Sequence, residues 1–232
     1  MTSPRGIALI LALLFTSFLS AVGLGLAVIV FMDRLATGNT TGSVALLHAA
    51  DAGVELAAHD LARADWNAVL AGAEQASFSD GAPIGVRAIP GGGAVNLTAE
   101  TNTLNCGRPT ACTAAQMAAN SDERPWGANN PRWRLYAFGP FDSLSAVERP
   151  ARCYLAVWVA DDVREVDGDP STDGDDEGRG VVRVRAAAFG GLGSRHAIEA
   201  ELARVCVAVA GEEICQPGIR VQSWQEVRQV VP

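Results

Sequence analysis

From Ile7 to Met32 the chain runs 26 residues without a charge, its apolar character interrupted only by Thr16, Ser17 and Ser20. A helix rises about 1.5 Å per residue, so this run exceeds the roughly 30 Å hydrocarbon core of a bilayer. It predicts a membrane-spanning helix. Arg5 and the α-amine precede it, whereas Asp33 and Arg34 behind it cancel, which keeps the short N-terminus cytoplasmic and puts the remainder outside. A cleaved secretory signal is the competing reading, with Ala21-Val22-Gly23 as its small-residue cleavage site. The apolar run continues from Leu24 to Met32 beyond that site, which argues against it.

Gly38-Asn39-Thr40-Thr41-Gly42 breaks the pattern, and a second helix is predicted from about Ser43 to Leu70 with Ser43 as its N-cap. Leu47, Ala50, Val54, Ala57 and Leu61 recur at three and four residues, so one stripe faces a partner while Asp51, Glu55, Arg63 and Asp65 face elsewhere. From Gly72 to about Asn130 glycine, proline, asparagine and threonine dominate, with short β-like runs at Ile84 to Ile89 and Val95 to Thr98, which reads as a loop-rich insertion. Five strand-like runs follow: Trp133 to Phe138, Cys153 to Ala160, Val181 to Phe189, Ala197 to Val209 and Ile219 to Val227. Val182, Val184 and Ala186 alternate with Arg183 and Arg185, as in a sheet with one wet face. Cys153 to Ala160 is apolar on both faces and belongs in the centre. Phe189-Gly190-Gly191-Leu192-Gly193-Ser194 reads as a hairpin turn rather than a phosphate loop, because period two continues after it and no helix starts there.

The pattern is thus α+β: a long N-terminal helix, membrane-spanning in its first half, followed by an antiparallel sheet, with the stripe of the second helical stretch open to any surface helix. Its organisation is a short N-terminal segment (1–6), an apolar helix (7–32), an amphipathic helix (33–72) and a β domain (73–232), the last with a loop-rich part at 73–130 and an acidic loop at 161–180. Composition supports a folded chain, at 49% hydrophobic and 19% charged residues. All eighteen basic residues are arginine and the net charge is −8, which argues against a nucleic-acid partner. One loop accounts for the imbalance. Asp161 to Glu177 holds nine carboxylates and one arginine.

That loop is the best candidate for a ligand. Asp167, Asp169, Asp173 and Asp175 alternate with turn residues, an arrangement that can wrap oxygens around calcium. It is not an EF-hand, since Thr172 and Gly178 occupy the positions of the sharp-turn glycine and the bidentate glutamate. A solvated acidic loop is the alternative. Five cysteines outside a membrane suggest disulfides with one left over. Cys106 and Cys112 make a close pair in a glycine- and proline-bearing loop; a zinc site would want Cys-x-x-Cys or a nearby histidine. Cys206 pairs most naturally with Cys215 around the Ala210-Gly211 turn, leaving Cys153 a buried thiol. Enzymatic chemistry finds no support: His48, His59 and His196 have no nucleophile motif near them, and no Gly-x-Ser-x-Gly, Walker loop or His-Glu-x-x-His is present.

Arg5-Gly6 before the run Ile7 to Leu14 resembles the leader and start of type IV pilin-like proteins, and His48 to Ala57 is similar to an alanine-rich stretch of PilX-type minor pilins and class K pseudopilins. Ser223 to Arg228 also looks like the end of such proteins. The resemblance implies a pilin-like fold, with the long N-terminal helix packed on the antiparallel sheet, and a prepilin leader at 1–6 that a prepilin peptidase cuts between Gly6 and Ile7 on the cytoplasmic face. Major pilins carry a glutamate at the fifth mature position, where this chain has Leu11. An unpaired ammonium in hydrocarbon is costly, so the lack of that carboxylate implies a first or tip position rather than a repeating one. The implied partners are other minor pilins and the major pilin through the helix, the prepilin peptidase, the inner membrane and a tip adhesin. The implied location is the inner membrane first and the pilus tip afterwards. Class K pseudopilins of type II secretion, a single-span outward-facing binding or sensor protein, and a secreted hydrolase are the rivals.

Overall fold

The computed structural model describes residues 5–119, 132–144, 151–164, 168–173, 180–209 and 212–227, without the side chains of 5, 6 and 206–217. The chain divides into two compact units, Met1–Gly42 and Ser43–Pro232. Helix α1, Arg5–Leu61, runs through both without a break, which corrects the expected interruption at Gly38 to Gly42. Each glycine costs a helix only about 1 kcal/mol. Thr40 Oγ1 meanwhile donates to Ala36 O at 3.0 Å, inside the helical pattern rather than against it. The break falls later. Asp65 caps a second helix, α2 (Trp66–Ala71), by accepting from Asn67 N, and Trp66 Nε1 donates to Leu61 O at 2.8 Å, satisfying a carbonyl at the end of α1.

In the first unit every large apolar side chain from Ile7 to Met32 is at least 43% exposed. In the second, α1 lies on an antiparallel sheet. Two strands, β1 (Val86–Ala88) and β2 (Ala94–Asn96), form a small hairpin. Helices α3 (Leu97–Cys106) and α4 (Ala114–Ala118) follow it. The main sheet is a five-stranded meander of β3 (Arg134–Pro140), β4 (Tyr154–Asp161), β5 (Val181–Phe189), β6 (Arg195–Val209) and β7 (Glu212–Glu226), neighbours in chain order. The sequence therefore predicts the sheet well, although β4 is the second strand and β5 the middle one.

Both faces of this sheet are covered over β3, β4, β5 and the first part of β6, while Arg220 to Glu226 of β7 stay exposed. Val157, Val184, Ile198 and Leu202 meet Leu46, Ala50, Val54, Ala57 and Leu61 of α1, with Val69 and Leu70 of α2. At Gly53 helix and sheet come closest: a Cβ there would stand 2.9 Å from Leu155 Cδ1 and 3.0 Å from Ala186 Cβ. Against the opposite face, Tyr154, Trp158, Ala187 and Phe189 pack beneath Ile89, Val95 and Leu97. The face expected to be wet is thus roofed by the glycine-rich insertion, and Arg185 is only 7% exposed. Burial of two guanidinium groups needs a partner, and Glu199 supplies it. Its carboxylate accepts from Arg183 at 3.1 Å and also from Arg185.

Side chains pin the insertion to the sheet. Trp158 Nε1 donates to Thr101 Oγ1 of α3 at 2.8 Å, Asn105 pairs with the backbone of Trp133 in both directions, and Asp80 accepts from Tyr154 and Arg87. The segment around Phe78 lies along β3, with Phe138 N donating to Phe78 O and Asp80 N to Phe138 O. One edge of the sheet is closed in this way.

Candidate functional site

Three places carry residues with functional meaning. The first is the N-terminal part of α1. Leu11 is 61% exposed, and its neighbours Ile7, Leu9 and Ile10 are 59–65% exposed. Burying a large apolar side chain stabilises by about 1.5–3 kcal/mol, so leaving this whole row in water would outweigh the 5–15 kcal/mol, roughly, that holds a domain folded. Water is not its natural surrounding. With a mean hydropathy of 2.5 over its most apolar window, the helix is long and apolar enough to cross a membrane once. Gly6 and Ile7 lie in its first turns; residues 1–4 of the leader lie outside the described residues.

The second is the seam between α1 and the last two strands. Ser43 Oγ lies 2.7 Å from His196 Nε2, and His196 Nδ1 lies 2.8 Å from Glu226 Oε1. The strand register explains the meeting: Ile198 pairs with Glu226, two residues along β6 from His196, so the imidazole reaches the end of β7. A little further on, Trp224 Nε1 donates to Asp51 Oδ1 at 2.9 Å, and Arg204 reaches from β6 to Ala64 O at 2.9 Å while stacking over Trp66 at 4.1 Å. Sequence reasoning missed this cluster, because 153 and 30 residues separate its members and no local motif marks them. Of the other histidines, His48 is exposed and His59 stands 3.7 Å from Asp60 with its side chain 72% exposed.

The third is the insertion with the acidic loop. Cys106 and Cys112 form a disulfide, at the point where Gly107 ends α3 in the left-handed region, φ 70°, and donates to Thr103 O. Beside it lies a cleft of about 390 Å³ lined by Thr98, Asn105, Met117 and Trp133. Its polar groups already serve the fold, Asn105 with Trp133 and Thr98 with Gly85 N. Cys153 is a buried free thiol, its pKa pushed up to about 12 by burial and then by Asp142. Register sets Cys206 opposite Cys215 across β6 and β7; their side chains, and so their pairing, lie outside the described residues.

Of the four aspartates proposed for calcium, Asp167 and Asp175 lie outside the described residues. Asp169 Oδ1 accepts from Ser171 N and Oγ, and these bonds hold its carboxyl below the usual range. Asp173 Oδ1 accepts from Gly180 N at 2.7 Å. Among the described residues no three histidine, cysteine or acidic side chains converge as a metal site. At the foot of the loop Asp162 is 1% exposed. Burial pushes its carboxyl upward, more than the nearby Arg164 guanidinium draws it down.

Comparison with protein-family models, with characterised proteins and with solved structures finds no match. The α+β class and the single apolar helix therefore stand on the chain's own geometry.

Proposed function

We propose that this protein is a minor pilin of the type IV filament superfamily, PilX-like, which joins other minor pilins and the major pilin through its N-terminal helix and starts or tips a pilus. The observation that carries the reading is the uncharged helix Ile7 to Met32, fully unburied and preceded directly by Arg5-Gly6. A surface of that kind gains from packing against other helices, first in the membrane and then in a bundle. Two further features support it. The second half of the same helix, from Ser43, lies on an antiparallel sheet, and Leu11 stands where a carboxylate would be needed to neutralise a neighbour's terminal ammonium.

Localisation tests the role. In a pilus-forming host, antibody against an epitope on this chain should mark filament ends, and Leu11→Glu should admit the chain to the shaft. Regular shaft labelling of the unaltered chain would refute the tip role. Absence from sheared filaments, with the chain retained in the membrane, would favour the single-span anchored protein.

A further inference from the structure

Ser43, His196 and Glu226 come from α1, β6 and β7 and form one directed chain of hydrogen bonds. Glu226 as a carboxylate can only accept, so Nδ1 carries a proton, and in the neutral imidazole the Nε2 lone pair then faces Ser43. The serine hydroxyl then donates to Nε2 at 2.7 Å. Hydroxyls inside a helix ordinarily bond back to a carbonyl of the preceding turn, as Thr16 does to Leu13 O and Thr40 to Ala36 O. Ser43 is turned to the imidazole instead. Nucleophile, base and orienting acid at such distances are the elements of an activated serine, whatever their order along the chain.

The surroundings add two observations. The Gly190–Ser194 turn closes beside this point, since a Cβ on Gly190 would stand 3.0 Å from Leu46 Cδ1, and Leu46 follows Ser43 by one helical turn. Within the turn Leu192 has φ 57°, the sole non-glycine residue with positive φ among the described residues. Strained backbone of this kind clusters at functional sites.

We propose that Ser43 is a nucleophile for acyl transfer from small, unhindered carboxylic esters, with His196 as general base and Glu226 as its positioning residue. Ser43 Oγ adds to the ester carbonyl as its proton passes to His196 Nε2. The carbon–oxygen bond to the leaving group then breaks, and the alcohol departs with that proton. Water, deprotonated by the same imidazole, attacks the acyl-serine, releases the carboxylic acid and restores Ser43. The His196 and Glu226 side chains are 24% and 40% exposed, so the site opens on the surface and suits a short acyl group.

The test uses the full chain in detergent. A fluorophosphonate probe, which phosphonylates activated serines, should form an adduct located at Ser43 by peptide mass spectrometry, and p-nitrophenyl acetate should be cleaved with turnover. Ser43→Ala should abolish both. His196→Gln should slow labelling at least ten-fold. Glu226→Gln keeps an oxygen that accepts from Nδ1, so its melting temperature should stay unchanged while labelling slows at least ten-fold. A wild-type chain that gives no adduct at Ser43, or labelling equally fast in Glu226→Gln, would overturn the proposal and leave the three residues as a clasp between helix and sheet.

Discussion

The closest approach between helix and sheet invites a substitution whose sign is decided by sterics. Gly53→Ala should gain about 1 kcal/mol from helix propensity in the absence of any other effect. The added methyl, however, would stand 2.9 Å from Leu155 Cδ1, 3.0 Å from Ala186 Cβ and 3.2 Å from Val157 Cγ2. Leu155 can rotate away. Ala186 cannot, because its Cβ is fixed to the backbone of β5, which pairs on both sides with β4 and β6. Overpacking of this kind costs about 1–3 kcal/mol, so the net change is a loss of about 1 kcal/mol, or about 2–4 °C in melting temperature for a chain of this size. Gly53→Val should lose more. Gly42→Ala is the control, since nothing lies within 4 Å of its Cβ position and it keeps the propensity gain. Thermal melts followed by circular dichroism in detergent read all three. A Gly53→Ala protein more stable than wild type would refute the packing of α1 on β4 and β5.

Other outcomes follow from the same geometry. Asp162 has its carboxyl raised by burial, so the charged form is disfavoured in the folded chain: the penalty is absent below the unfolded value, about 3.9, and grows as pH rises through the folded one. Asp162→Asn should therefore raise the melting temperature at pH 7, with the gain shrinking toward pH 4; an equal gain at both would contradict the burial. Cys153, with its thiol pushed up to about 12 and no exposed surface, should resist maleimide at pH 7 in the folded chain and react once guanidinium unfolds it, as peptide mapping would show. Cys106→Ser with Cys112→Ser opens a loop of sequence separation 6. By the chain-entropy estimate this removes about 2 kcal/mol, read as a lower denaturant midpoint.

The main strands were legible as short apolar runs, continuous in Cys153 to Ala160 and alternating in Val181 to Ala186, although β7 starts at Glu212, ahead of the run at Ile219 that marked it. The stripe Ala50, Val54, Ala57 and Leu61 was legible from its recurrence at three and four residues. The continuity of α1 was not: two glycines and two threonines look like a break locally, but their cost to a helix is small and Thr40 Oγ1 bonds within the helical pattern to Ala36 O. Nor was the roof over the second sheet face. Its side chains, Ile89, Val95 and Leu97, are scattered through a glycine-rich segment with no period of its own, and only the sheet beneath gathers them. Arg183 and Arg185 looked solvated because alternation with valine reports a face and not what covers it. The Ser43, His196 and Glu226 cluster was hidden more deeply, since strand register joins His196 to Glu226 and only the packing of α1 on the sheet adds Ser43.

The central claim concerns what happens at the first turns of α1. The chain should be expressed with a prepilin peptidase, and separately with a catalytically dead one, and the membrane-extracted protein taken for intact mass and N-terminal sequencing. The account predicts loss of residues 1–6 and a mature N-terminus at Ile7 with the active peptidase alone, the apolar helix remaining attached. An N-terminus at Leu24, or a chain unchanged by the active enzyme, would contradict it.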